Sequence, residues 1–372
     1  MRLESRIVVK ETEFPEFMTR DYVEEILDRT PQIGPDDPKN PEWQETPVPS
    51  LNLGPHGCKF GGQDAIVHIK DESANPYGLL KARKHHELWP VQYRAFAENL
   101  WRQKLNGHTE SIAMPRLTLI TSGNDGIVAA KTSEQYNLPP VKLLLDVNTP
   151  RERIEELKKL NHADIYLAPL QVNIFTGNIE PYTPRQIRIL TNNTPGHDVT
   201  SSRMVSPHRD FYDWHWHEIF NENPDEVYGS FGSGEWFANG LTWQRETAIN
   251  GLEKKDVRLR TQPDQVTRVS ILAAEPYHIM DSQADKLTGQ KPFIYYGEND
   301  IKGMKTFNFT GKETEVCAVS EKYIKQAYDI MSQHFATEPS AAAGLALYLQ
   351  RFEAGLIDPR RKILVVNTGR GI

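Results

Sequence analysis

Cysteine is scarce in this sequence. The 372 residues hold two, Cys58 and Cys317, far apart, so no disulfide framework underlies the fold, a reducing compartment fits, and no paired spacing offers a zinc knuckle. Positive charge is not in excess either. The formal net charge of -7 argues against non-specific nucleic-acid binding, which needs a basic surface to displace counterions; the short basic group Lys81, Arg83, Lys84 does not change that. No run approaches the ~20 apolar residues of a membrane helix, and residues 1–6 lack the apolar core of a signal peptide. No repeat at solenoid period and no long low-complexity stretch is present. The expected location is the cytoplasm. What remains is an ordinary globular balance, 38% hydrophobic and 25% charged, in a chain long enough for two lobes with sizeable cores.

The first stretch, to about Trp43, is weakly patterned, and Pro31, Pro35, Pro38 and Pro41 make 32–45 an irregular connection. The middle alternates strands and helices. Leu117–Thr121 is a buried-strand run; Asn124–Tyr136 follows with helical spacing; Val141–Asp146 is the next strand. Thr149 and Pro150 read as cap and first residue of a helix to about Leu160, and Ala163–Leu167 as another strand. Strand, helix, strand at this spacing implies βαβ units and a parallel sheet. The last third repeats the grammar: strands at Val269–Ala274, Val316–Val319 and Ile363–Val366, helices from a Ser320 cap to Met331 and over Pro339–Leu349. The prediction is an α/β protein of two lobes, each a mostly parallel sheet flanked by helices. Residues 170–209 read as loop-rich.

Four segments carry candidate chemistry. In Lys70–Arg83, a strand ends, Asn75-Pro76 and Gly78 make a turn, and Lys81 opens the next helix. Partial desolvation and the positive helix end both favour a neutral amine there, the form that attacks an aldehyde; most lysines at helix starts are simply solvated charges. In Thr121-Ser122-Gly123-Asn124-Asp125-Gly126, a strand-to-helix junction presents backbone N–H groups suited to a substrate carboxylate, and Asn124 can donate to a phenolate oxygen. The same residues are also ordinary turn chemistry. In Tyr228–Glu235, Gly229, Gly232 and Gly234 permit close backbone approach to a phosphate at a helix start. The loop lacks the Gly-Lys-Ser/Thr of a Walker A motif and the third glycine of a dinucleotide fingerprint, which disfavours a nucleotide-binding oxidoreductase. At the C-terminus, Glu338–Gly344 and Asn367-Thr368-Gly369 place a hydroxyl at the end of the last strand, able to face a ring nitrogen, or simply an N-cap at Ser340 and a terminal turn.

Taken in order, these segments resemble the fold type II pyridoxal-phosphate enzymes, the group of tryptophan synthase β, threonine synthase, cysteine synthase and the serine/threonine dehydratases. The family's Lys-Asp-Glu…Asn-Pro-Thr-Gly-Ser-Phe-Lys-Asp-Arg falls on Lys70 to Arg83, its Thr-Ser-Gly-Asn on Thr121 to Asn124, and its phosphate loop on Gly232 to Glu235. Its Glu-Pro-Ser-x-Ala-Ala and final Thr/Ser-Gly fall on Glu338 to Ala343 and Thr368-Gly369, and Ala274-Glu275-Pro276 is similar to its Val-Glu-Pro. Departures are Tyr77, Leu79, Leu80 and Ala82 around the lysine, Asp125 after the asparagine, and Glu235 in the phosphate loop.

The resemblance implies an N-terminal arm at 1–45, a large cofactor-binding domain at 46–80 and 200–372, and a smaller mobile domain at 81–199. It implies pyridoxal 5′-phosphate as cofactor, bonded to Lys81, with Asn124 on the ring oxygen, Gly232, Ser233 and Gly234 on the phosphate, and Thr368 at the pyridine nitrogen. Thr121, Ser122, Gly123 and Asp125 would face an amino-acid substrate, and the assembly would be a homodimer. Lys81, once displaced, would act as general base. A hydroxyl stabilises a protonated ring poorly, so elimination or β-replacement through an aminoacrylate-type intermediate is expected over transamination. The alternative is a non-catalytic relative, supported by Glu235 and opposed by Lys81, Asn124 and Thr368 together. Asp125 beside a carboxylate-binding loop would repel substrate unless it points away, is protonated or meets a cation; it either recognises a second positive group on the substrate or caps the helix. No metal is expected, and His215 and His217 are expected on different helix faces, partly exposed.

Overall fold

The apolar runs of the middle third pair as their spacing predicts. In the computed structural model, which describes residues 6–15, 17–30, 44–105, 112–113, 116–121, 123–180, 182–194, 196–198, 212–232, 234–250, 260–277, 282–287 and 314–370, Leu117–Ile120 lies parallel to Val141–Asp146 and that strand parallel to Ala163–Ala168. All six residues of Ala163–Ala168 are buried, the mark of a parallel strand covered on both faces. The sheet is completed by His197–Asp198, parallel, on one edge and by Ile7–Lys10, antiparallel, on the other. Helix Asn124–Gln135 crosses between two of these strands and turns Ile127, Val128, Ala129 and Ala130 inward. This sheet belongs to a unit made of residues 1–43, 81–211 and 372.

Residues 44–80 and 212–371 form the second unit. Its sheet runs, edge to edge, Glu315–Val319, Ser270–Pro276, Glu226–Ser230, Ile363–Asn367, Ile66–Asp71, Ser50–Asn52, with only the last strand antiparallel. One core packs Ile324, Ala327 and Leu345 with Val67 and Val365; another gathers Trp214, Trp216, Trp236 and Phe237 with Val227 and Val366. Each unit is thus a mostly parallel sheet flanked by helices. Among the described residues no helix is long and apolar enough to cross a membrane.

Several local expectations need correction. Thr149 caps nothing: the helix is Arg151–Lys158, Pro150 holds the N-cap position and no side chain bonds the first turn. The Thr-Pro signal works instead at Thr183-Pro184, where Thr183 and Gln186 form a reciprocal capping box for Pro184–Leu190, so the 170–209 stretch is not all loop. Ser320 is an N-cap by backbone alone. The helix expected at Pro339 begins at Ala343, because the backbone first turns at Glu338, whose carbonyl accepts from Ala341 and Ala342. After strand Ile7–Lys10, Arg20–Arg29 is a helix capped by Thr19 with Val23 and Ile26 inward, too short an apolar stripe to stand out among acidic residues. Most of the 32–45 connection lies outside the described residues.

Candidate active site

The candidate residues fall on both units, and each half is built from its own unit. In the second, strand Ile66–Asp71 gives way to two short 3-10 turns, Glu72–Ala74 and Pro76–Gly78. Tyr77 (φ 60°) and Gly78 (φ 69°) both stand in the left-handed region, an uncommon pair that needs holding. The C-terminal segment holds it. Arg370 N–H donates to Gly78 O at 3.1 Å, Leu80 N–H donates to Thr368 O at 3.1 Å, and Leu79 bridges Gly369. Thr368 therefore lies at the foot of the turn whose next residue is Lys81. Gly369 has φ 105°, and a Cβ there would stand 2.0 Å from Gly78 O. Gly369→Ala is expected to cost about 1–3 kcal/mol and to loosen this turn, seen as a lowered Tm and faster amide exchange at Leu80; unchanged exchange would mean the latch is dispensable.

Beneath the turn lies a charged cluster. The Glu72 side chain accepts from Thr46 Oγ1 at 2.7 Å, from His215 Nδ1 at 2.9 Å and from Asn75 Nδ2. Lys70 Nζ meets Glu218 Oε2 at 2.6 Å and Thr46 O at 2.8 Å, and stands 4.0 Å from Glu72. All of these residues are buried. Burial pushes the Glu72 carboxyl up, but the His215 contact, Lys70 and Thr46 outweigh it and hold it below the usual carboxylate range. Helix Asp213–Asn221 therefore buries both histidines, His215 at 0% and His217 at 1% exposure, where sequence reasoning expects them partly exposed. One side of the helix feeds Glu72; on another, His217 meets the Trp243 ring edge-on at 4.2 Å. Among the described residues no three His, Cys, Asp or Glu side chains gather as a metal site.

The glycine-rich loop follows strand Glu226–Ser230. Phe231 N–H donates to Ala274 O, Ser230 Oγ donates to Ser340 O, and helix Glu235–Asn250 begins at once. Gly234 has φ 82°. Among the described residues, a Cβ on Gly232 would meet only Leu287, at 3.5 Å, an ordinary contact. Gly232 and Gly234 place backbone N–H groups beside the positive end of this helix. Glu235 is buried in the first helical turn, where a carboxylate is favoured by the helix dipole. Ser233 lies outside the described residues.

In the first unit, Lys81 opens the helix Lys81–Leu105. Its Nζ meets Asp125 Oδ2 at 2.8 Å, while His85 Nε2 meets Asp125 Oδ1 at 2.7 Å. Lys81 and His85 are four apart and share a helix face; Asp125, in the first turn of the neighbouring helix, bridges them. The Asp125 carboxylate thus meets a cation, and the chain supplies it. Capping falls to Thr121, whose Oγ1 accepts from Gly123 N–H and Gly126 N–H, each at 3.0 Å, rather than to Asp125. Burial pushes Asp125 up, but Lys81, then His85 and Lys84, hold it well below the ordinary carboxylate range. Burial pushes the His85 imidazole down, against the pull of Asp125. Gly123 (φ 139°) lies under the Arg153 side chain, whose Cδ would stand 2.8 Å from a Cβ there. Asn124 is buried; Ser122 lies outside the described residues. Sequence reasoning misses His85 and Arg153. The Lys-x-x-x-His spacing is a signal for the first; nothing local announces the second.

The fold built this way is that of the fold type II pyridoxal-phosphate enzymes. The chain is similar in structure to a pyridoxal 5′-phosphate-dependent aspartate racemase, with a TM-score of 0.57 over 96% of this chain and 98% of that one, at 14% identity. It is similar also to the O-acetylserine-dependent cystathionine β-synthase of Helicobacter pylori (TM-score 0.56, 14% identity, 93% and 94% covered). A third likeness is to the processed threonine deaminase isoform 2 of Solanum lycopersicum (0.56, 15%, 98% and 96%). No family model and no curated protein matches the sequence.

Proposed function

We propose that the chain is a pyridoxal-phosphate-dependent enzyme of amino-acid metabolism, acting as a lyase or β-replacement enzyme. The observation that carries this reading is the latch of Thr368, Gly369 and Arg370 on the turn that leads into Lys81. It ties the turn that leads into Lys81 to the backbone of Thr368, the residue that carries the expected hydroxyl. The residues fit the cofactor chemically: an amine on Lys81, backbone amides on Gly232 and Gly234 for phosphate, a side-chain amide on Asn124, and the neutral Thr368 hydroxyl for a ring nitrogen. When bound, the cofactor supplies an electron sink for breaking bonds at the substrate α-carbon.

The chain's own residues do the rest. The Thr121–Asn124 junction stands at the start of helix Asn124–Gln135, whose positive end favours a substrate carboxylate. Lys81 Nζ would serve as the general base that takes the α-proton. Thr368 offers a hydroxyl where a carboxylate would hold the ring nitrogen protonated, which favours loss of a leaving group over transamination. The racemases among the similar folds make the stereochemical readout part of the test. The cofactor-supplemented protein is expected to show a visible absorption band that shifts with particular amino acids, and to release keto acid and ammonia or to exchange a β-substituent. Recovery of the intact amino acid with inverted configuration would replace this reading with racemisation. A colourless protein would remove it.

A further inference from the structure

The strand-to-helix junction that opens Asn124–Gln135 has already committed two of its amides. Thr121 Oγ1 accepts from Gly123 N–H and from Gly126 N–H, each at 3.0 Å, and these bonds hold the junction's own turn. A ligand carboxylate cannot draw on them without undoing that turn. The one carboxylate within the junction, Asp125, has both oxygens engaged, by Lys81 at 2.8 Å and by His85 at 2.7 Å. An anion arriving here needs a cation outside that pair.

Arg153 supplies it. Its side chain reaches from helix Arg151–Lys158 across Gly123, where a Cβ would stand 2.8 Å from Arg153 Cδ and 3.0 Å from Nε. With φ 139°, Gly123 is a glycine on two counts, its backbone conformation and the crossing of this side chain. The guanidinium is thus placed at the junction by its own stem. Its Nη1 meets Glu156 Oε2 at 3.1 Å in an i,i+3 pair whose acidic partner is 47% exposed, a contact that contributes little in water. Five N–H donors in a planar fork let a guanidinium keep a structural contact and still hold a carboxylate by two parallel bonds. The Arg153 side chain is 20% exposed, so a solute can reach it. Asp125 follows two residues after Gly123 and touches Lys81. One short segment therefore meets both the lysine amine and a guanidinium, as the two ends of an amino acid require. We propose that Arg153 binds the α-carboxylate of the substrate, a role that sequence analysis gives to Thr121, Ser122 and Gly123. This rests on the proposed function, which brings the substrate carboxylate to this junction.

Phenylglyoxal, which modifies guanidinium groups, tests this on the cofactor-supplemented full chain, coloured or not. Modification of Arg153 is followed by peptide mass spectrometry against Arg360, an 88% exposed internal reference. The chain is treated in a mixture of the common amino acids, or in the matching mixture of their decarboxylated amines. The amino acids are expected to slow modification of Arg153 about 10-fold or more, and the amines to leave it unchanged. Where a band shift reports binding, Arg153→Met is expected to weaken an amino acid about 10–100-fold, the yield of a hydrogen bond to a charged group. The shift given by its decarboxylated amine should stay in place, and Arg153→Lys, which keeps the charge but loses the fork, should recover part of the loss. No protection, or equal protection by amines and amino acids, would overturn the role. So would an Arg153→Met chain that binds both as before, or one that weakens both alike, the mark of an arginine that only supports the fold. Selective protection of Arg153 in a colourless protein would instead overturn the cofactor reading and leave the carboxylate site standing.

Discussion

Lys81→Ala is expected to abolish the visible band of the cofactor-supplemented protein and to slow any amino-acid-dependent reaction by on the order of 10²–10⁴-fold or more, the usual yield of a positioned general base. Two losses combine: no amine remains to bond the cofactor aldehyde, and none remains to take the α-proton. The fold should tolerate the change. Lys81 is a third exposed, and its ion-pair partner Asp125 keeps the hydrogen bond from His85. Circular dichroism and Tm should therefore stay close to those of the unaltered chain while the band and the reaction vanish. Retention of the band in a folded Lys81→Ala protein would move the reactive amine elsewhere. Among the described residues, the buried lysines Lys70, Lys84 and Lys142 would then be the candidates.

Glu72→Ala is expected to cost about 3–5 kcal/mol, the range for breaking a buried ionic cluster by removing one partner. Glu72 is fully buried and takes hydrogen bonds from three side chains, so its loss strands the His215 donor and removes one of the two carboxylates near Lys70, which keeps Glu218 and Thr46 O. The pH dependence has a definite sign. Because the folded carboxyl lies below its ordinary value of 4.5, the stability it contributes is complete above that value and is lost as pH falls through the folded one. Glu72→Gln should accordingly flatten the fall of Tm with acid below about pH 4.5, while lowering Tm at neutral pH. A Glu72→Ala protein with the Tm of the unaltered chain at neutral pH would show the cluster to be energetically idle.

The elements that could be read in advance are those where one period dominates. Val141–Asp146 and Ala163–Ala168 are largely apolar runs, interrupted by Lys142 and Asp164, and both form buried parallel strands. Asn124–Gln135 shows its helical face in Ile127, Val128 and Ala130. Helix boundaries fared worse where a side-chain cue competed with the backbone. Thr149-Pro150 and Thr183-Pro184 look alike in sequence, each followed by Glu or Gln three residues after the threonine, yet only the second forms the box. The burial of His215 was invisible because its partner, Glu72, is 143 residues away. The same holds for the site. Lys81, Thr121, Gly232 and Thr368 stand out through local glycines and turns, and the latch between Gly78 and Gly369 is hinted at by two glycines whose pairing only the fold supplies. Asp125 is conspicuous, but its meaning depends on His85, a residue with no local punctuation that matters only because a helix brings it round to the lysine's face.

The most direct measurement is to supply the purified chain with pyridoxal 5′-phosphate, reduce it with borohydride, and locate the cofactor by peptide mass spectrometry. A single reduced cofactor per chain, carried by the peptide that contains Lys81, is the expected result. A cofactor fixed on another lysine, or on none, would contradict the assignment of this lysine as the reactive amine and with it the enzymatic reading.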